Sequence, residues 1–135
     1  MAGLSENPVI VDTPVLLWML TDPRLLSTDA RNALRLQCLE VHVSAATAWE
    51  LSTKHRLGRL PQADVLLHAY DDHLERLGVR DLKITSAHAL LAGSLDWKHR
   101  DPFDRMIAAQ AMIESLTLVT SDNAFKSLNG LRTLW

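Results

Sequence analysis

The sequence predicts a three-layer α/β/α fold with a mainly parallel central sheet, and three observations carry the prediction. Short apolar runs rich in β-branched residues recur at 9–11, 41–43 and 116–120, stretches with helical apolar spacing separate them, and helix-starting residues follow directly on the first two. Strands alternating with helices of roughly 10 to 15 residues favour right-handed crossovers, which set strands side by side in parallel and cover both faces of the sheet.

Size and composition agree with this class. A chain of 135 residues fits one domain, expected over 1–135. With 47% apolar and 22% charged residues it can bury a core, so disorder and fibrous repeats are excluded. Cys38 is the single cysteine, which excludes an internal disulfide framework and a cysteine zinc site and suits a reducing cytoplasm. Residues Met1 to Asn7 lack a basic region, and Asp12 and Asp22 cut the apolar stretches short of the ~18 residues a membrane span needs. The formal charge of −2 does not mark a general polyanion binder, so contact with nucleic acid has to come from a local basic patch or from metal ions.

Element by element, Val9-Ile10-Val11 is a strand ending at Asp12, and Thr13-Pro14 reads as a helix cap followed by proline, whose missing N–H costs nothing in a first turn. One helix then carries Val15 to Leu20; a second starts from the cap Ser27 and includes Ala33, Leu34 and Cys38. Val41-His42-Val43 is the second strand, after which Ser44 caps a helix from Ala45 to about Arg56 with Gly58 beyond its end. After the break at Leu60-Pro61, one helix is expected from about Ala63 to Leu77, stopped by Gly78. A short strand over Asp81 to Ile84, a helix over about Ser86 to Leu91 and a loop over Gly93 to Arg100 come next. Asp101-Pro102 repeats the cap-then-proline signal and opens a helix in which Phe103, Met106, Ile107, Gln110 and Ile113 recur at helical spacing. Leu116 to Thr120 is the clearest strand; it runs into Ser121-Asp122, a short helix over Asn123 to Leu128 and a last strand over Leu131 to Trp135.

In open parallel sheets, ligands sit outside the carboxyl ends of the strands. Asp12 and Asp122 both follow a strand directly, while Glu50 and Asp104 lie on helices that start from the same edge. Each has an ordinary alternative: Asp12 and Asp122 as caps, Glu50 as a solvated helix residue, and Asp101 as nothing more than the cap before Pro102. If the four converge, the cluster needs an occupant, because unit charges ~4 Å apart near a protein surface repel by roughly 4 kcal/mol. Oxygen ligands alone suit Mg²⁺, with Mn²⁺ as substitute, and such an ion bound near Asp12 and Asp104 points to phosphodiester chemistry.

Taken in order, Val11-Asp12-Thr13 with Leu16-Leu17-Trp18, Val43-Ser44-Ala45-Ala46 with Trp49-Glu50-Leu51, Lys54 to Leu60, His99 to Arg105 with Ile107-Ala108, and Leu118 to Asp122 with Phe125 resemble the PIN-domain ribonucleases, specifically the VapC-type toxins of bacterial toxin–antitoxin pairs. The resemblance spans nearly the whole chain, and the family's acidic site falls on Asp12, Glu50, Asp104 and Asp122. It implies an Mg²⁺-dependent endoribonuclease, commonly a homodimer, held inactive by a cognate antitoxin whose C-terminal segment lies across the site. One position departs from the pattern: Pro14 stands where this branch commonly carries histidine after Asp-Thr.

Lys54, Arg56, Arg59, Arg100 and Arg105 lie near the acids along the chain and are candidates for RNA phosphates, with helix-end solvation as their ordinary alternative. No histidine pair has convincing zinc spacing, and Trp18, Trp49 and Trp97 are read as core or dimer-interface residues, with core packing favoured. The competing function is a catalytically silent PIN-like module that binds RNA or an antitoxin without cutting. A phosphatase or phosphoacceptor fits poorly, because Asp12 lacks a second aspartate two residues on and no lysine stands just past a late strand.

Overall fold

The computed structural model describes residues 8–36 and 40–135. Among these, five strands form one sheet: β1 (Val9–Val11), β2 (Val41–Ser44), β3 (Val79–Leu82), β4 (Thr117–Val119) and β5 (Thr133–Leu134). Their spatial order is β3-β2-β1-β4-β5, and every pairing is parallel. The central strand β1 sets the register, Val11 standing beside Val43 on one side and Val119 on the other.

Alternation along β1 explains the layers. Val9 and Val11 enter one buried cluster with Val15, Leu16, Val43, Leu51, Leu66 and Val119. Ile10 points the opposite way, into a second cluster with Ile107, Ala108, Leu118 and Phe125. Both faces of the sheet are therefore covered, as a parallel sheet requires. The first face is packed by α1 (Thr13–Thr21), α3 (Ala45–Arg56), α4 (Ala63–Leu67) and α5 (Tyr70–Leu77), and the second by α7 (Pro102–Glu114). The remaining helices are α2 (Thr28–Arg35) and α6 (Ser86–Ser94).

Several boundaries differ from the sequence reading, each for a local reason. The cap of α1 is Asp12, not Thr13: Asp12 is extended and its Oδ1 accepts the Val15 N–H, which makes Thr13 the first helical residue and Pro14 the second. The helix expected over 63–77 is broken, because Ala69 adopts a left-handed conformation (φ 62°) between α4 and α5. The strand β3 begins two residues earlier than expected, where Val79 is buried and pairs with Val41. A capping box between Thr85 and His88 starts α6, which runs on to Ser94, so the loop before α7 opens at Leu95. On α7 residues 107–111 are all buried and Ile113 is exposed, because this helix is wrapped by the sheet and α6 together. Asn123–Ser127 is a 3₁₀ turn capped by Asp122. The expected place of Cys38 in the second helix lies outside the described residues.

Of the tryptophans, Trp18 and Trp97 are half-buried and pack against the two cores, but Trp49 is 61% exposed and is corrected from core to surface. The phase of α3 decides this, since Ala46, Thr47, Glu50 and Leu51 take the inward face. No described helix is long and apolar enough to cross a membrane.

Candidate functional site

The parallel register brings the ends of β1, β2 and β4 to one edge. Asp12 follows β1, is 3% exposed, and is held from two sides. Its Oδ1 accepts the Val15 N–H at 3.1 Å, and its Oδ2 accepts the hydroxyl of Thr120, just past β4. The Thr120 oxygen in turn accepts the Asp122 N–H at 3.0 Å.

Glu50 reaches the same edge from α3 and is 4% exposed, contrary to the solvated alternative. Its Oε1 accepts the Thr13 hydroxyl at 2.6 Å, while its Oε2 takes the ammonium of Lys54, one turn further along the helix. Thr47 lies 3.0 Å from Thr13 Oγ1; with the Thr13 proton given to Glu50, Thr47 is the donor of that bond.

Asp104 stands in the first turn of α7, whose cap Asp101 accepts the N–H groups of Phe103 and Asp104 through one oxygen, at 2.8 and 3.2 Å. His99 Nε2 lies 2.7 Å from Asp104 Oδ2. Rings of Trp97 and Phe125 flank His99, with centroids 4.8 and 6.4 Å away.

Burial and neighbouring charges shift Asp12 and Asp104. Burial pushes the Asp12 carboxyl up to about 7 against the pull of its Thr120 and Val15 hydrogen bonds, and the charges of Asp104 and Glu50 add to the rise. Burial likewise lifts Asp104 to about 6, opposed by His99 and reinforced by Asp101 and Glu50. Lys54 loses some hydration, which disfavours its charge, yet its bond to Glu50 and the fields of Glu50, Asp101 and Asp104 hold its pKa above the ordinary value. The acids Asp12, Glu50, Asp101 and Asp104 thus share one electrostatic neighbourhood.

Asp122 stands at the rim. It is exposed, its carboxylate caps the next turn through the Ala124 N–H at 2.9 Å, and its link to Asp12 runs through Thr120. Among the described residues no three His, Cys, Asp or Glu side chains close into a ready ion cage. The donor set nonetheless suits a hard cation: carboxylate oxygens predominate, and Asp12 and Asp104 are poorly stabilised as anions by the protein alone. Mg²⁺ typically uses one or two carboxylates and keeps several waters, so a full cage is not what it needs.

Among the basic candidates, Arg56, Arg59 and Arg100 are exposed, and Lys54 is drawn onto Glu50. Arg105 is differently engaged. Its guanidinium donates to the carbonyls of Ala92, Leu95, Trp97 and His99 at 2.7–2.9 Å, a clamp on the end of α6 and the loop that carries His99. Trp49 meets Phe103 edge-on at 4.7 Å, in a groove of about 240 Å³ that also touches Ile84, Arg100 and Met106. The threonines 13, 47 and 120, the Arg105 clamp and the His99 contact were not found from sequence. Position alone signalled them: Thr13 and Thr120 flank strand ends, and His99 precedes the Asp101 cap by two residues.

The family described as PIN domain matches residues 9–131. Ribonuclease VapC16 of Mycobacterium tuberculosis is 33% identical over 67 residues, a match covering 50% of this chain and 43% of that relative, so less than half the relative's length is spanned. A DNA-bound VapBC from Salmonella typhimurium has a similar fold, with a TM-score of 0.68 at 20% identity over 95% of this chain and 97% of that one. A toxin–antitoxin complex from Klebsiella pneumoniae gives 0.62 at 18% identity, covering 94% and 96% of the two chains.

Proposed function

The chain belongs to the PIN domain family, and from that premise we propose that it is a divalent-metal-dependent endoribonuclease, the VapC-type toxin of a toxin–antitoxin pair. The observation that carries the proposal is the convergence of Asp12, buried at the end of β1, and Asp104, part-buried on α7, two acids that burial holds above the ordinary carboxyl range, the charge of Asp104 adding to the rise at Asp12. Asp12 and Asp104 would hold Mg²⁺, or Mn²⁺ in its place, with Glu50, Asp101 and Asp122 as further candidate ligands. Bound there, the ion supplies an activated water for attack on phosphorus and offsets charge on the phosphodiester.

The chain's own residues do the rest. Thr120 and the Val15 N–H fix both oxygens of Asp12, and His99 fixes one oxygen of Asp104, so the pair is oriented before substrate arrives. Exposed Arg56, Arg59 and Arg100 supply phosphate contacts, and the open face of Trp49, next to Glu50 along α3, gives an unstacked base a surface. Arg105 serves the site by holding the loop of His99 rather than by meeting RNA. The similarity to ribonuclease VapC16 supports RNA as substrate, and the similarity to VapBC and to a toxin–antitoxin complex supports an antitoxin partner. A homodimer acting in the cytoplasm is part of the same reading.

The test is cleavage of a mixed RNA pool with Mg²⁺, with EDTA, and with Asp104→Asn. Loss under both treatments is expected. Cleavage that survives both overturns the proposal, and saturable RNA binding without any cleavage returns the silent module.

A further inference from the structure

Glu50 is 4% exposed, a depth at which a carboxylate whose oxygens are not engaged and whose charge is not offset is costly to bury. Thr13 serves one oxygen and Lys54 the other. Pairs spaced i,i+4 are ordinary on helix surfaces, but this one differs in two ways. Its acid is buried while the lysine side chain remains 40% exposed, and the ammonium also lies in the fields of Asp101 and Asp104. A single tethered cation therefore answers Glu50 directly and Asp101 and Asp104 through their fields, beside the His99 contact at Asp104.

We propose that Lys54 is a built-in counter-ion of the acidic site, which a divalent cation has to displace from Glu50 and which thereby weakens the site's hold on that cation. The inference rests on the metal-dependent reading above. The physical ground is that an ammonium and a divalent ion facing the same carboxylates repel one another, and that an oxygen engaged by an ammonium is a poorer ligand. Lysine suits the part, because its flexible four-carbon stem lets the ammonium leave Glu50 for solvent without disturbing α3. In the ion-free protein Lys54 makes the burial of Glu50 tolerable; in the loaded protein it is released.

Mn²⁺ affinity is the direct measurement, made by calorimetric titration of the intact chain, of Lys54→Met and of Lys54→Arg at one ionic strength. Lys54→Met is expected to bind Mn²⁺ about tenfold more tightly, the scale of one nearby charge in a partly solvated site, with Lys54→Arg close to the wild type. Damage to the fold would weaken binding, so a gain cannot come from it. Equal or weaker binding by a cooperatively folded Lys54→Met overturns the inference. The unsubstituted chain gives a second readout, which stands if Lys54→Met fails to fold: acylation of Lys54 by an amine reagent, followed by mass spectrometry, is expected to speed up on Mn²⁺ addition. An unchanged rate overturns the inference. If the unsubstituted chain binds no Mn²⁺, the metal-dependent reading fails and this inference with it; Mn²⁺ binding indifferent to Lys54 removes this inference alone.

Discussion

The hydroxyl of Thr120 donates to the carboxylate of Asp12 across 108 positions of sequence, joining the end of β4 to the end of β1. The bond favours the ionised acid and so opposes the rise that burial imposes on it. Thr120→Val keeps the shape and removes the donor. It is expected to destabilise the chain by about 1–3 kcal/mol, more at pH 8 than at pH 5, because the lost bond serves the carboxylate form. Urea unfolding at the two pH values checks this; equal losses at both would count against it.

Raised carboxyl pKa values make a prediction with a definite sign. Asp12 and Asp104 go from 3.8 to about 7 and about 6 on folding, so between about pH 4 and pH 7 the folded chain binds more protons than the unfolded one. Their contribution to stability is present below pH 4 and is lost as pH rises through 6 and 7, on the order of a few kcal/mol. Thermal melting in EDTA should therefore show the intact chain losing more stability from pH 5 to pH 8 than Asp12→Asn does. Mg²⁺ or Mn²⁺ should restore stability more at pH 8 than at pH 5, and EDTA should reverse the gain.

Asp104→Asn keeps an oxygen near His99 but removes the charge. Cleavage is expected to fall by at least about 100-fold, beyond the loss usual for residues that only support a ligand, with the melting temperature unchanged or raised. A steady-state assay on a defined oligoribonucleotide, paired with a melt, separates loss of chemistry from loss of fold.

Arg105→Lys retains the charge and loses the fork. A lysine cannot serve four carbonyls spread over Ala92 to His99, so a loss of about 2–3 kcal/mol is expected. Amide exchange should quicken across 95–100 before it does elsewhere. A phosphate-binding role would instead leave exchange intact and weaken RNA binding.

Trp49→Ala should cost about 0.5–1.5 kcal/mol, the worth of its pairing with Phe103, against about 2–5 kcal/mol for Leu51→Ala, two positions on and fully buried. Similar losses in the two variants would place the indole in the core after all.

What could be read from the sequence follows from how local each signal is. The caps at Asp101, Ser27 and Ser44 are written within three residues of the groups they serve, and all three form as expected. The parallel sheet was legible because β1, β2 and β4 are short β-branched or apolar runs separated by helices. The rest depends on distant partners. Trp49 and Glu50 are neighbours, and only the packing of α3 against α1, through Thr47 and Thr13, turns the acid inward and the indole outward. The Arg105 clamp depends on where the carbonyls of residues 92–99 point, which no spacing encodes. Ala69 has no turn-forming signature, so the break between α4 and α5 was invisible.

The strand order has a consequence for how the molecule comes into being. Because β1 lies between β2 and β4, a chain still emerging from the ribosome holds Asp12 long before it holds the strand and hydroxyl that complete its setting. Fragments ending ahead of residue 117 have no β4 and leave one side of β1 bare. A site assembled in this order lacks the β4 edge and the Thr120 hydroxyl until residues 117–120 have been made, so the setting of Asp12 is completed late relative to Asp12 itself.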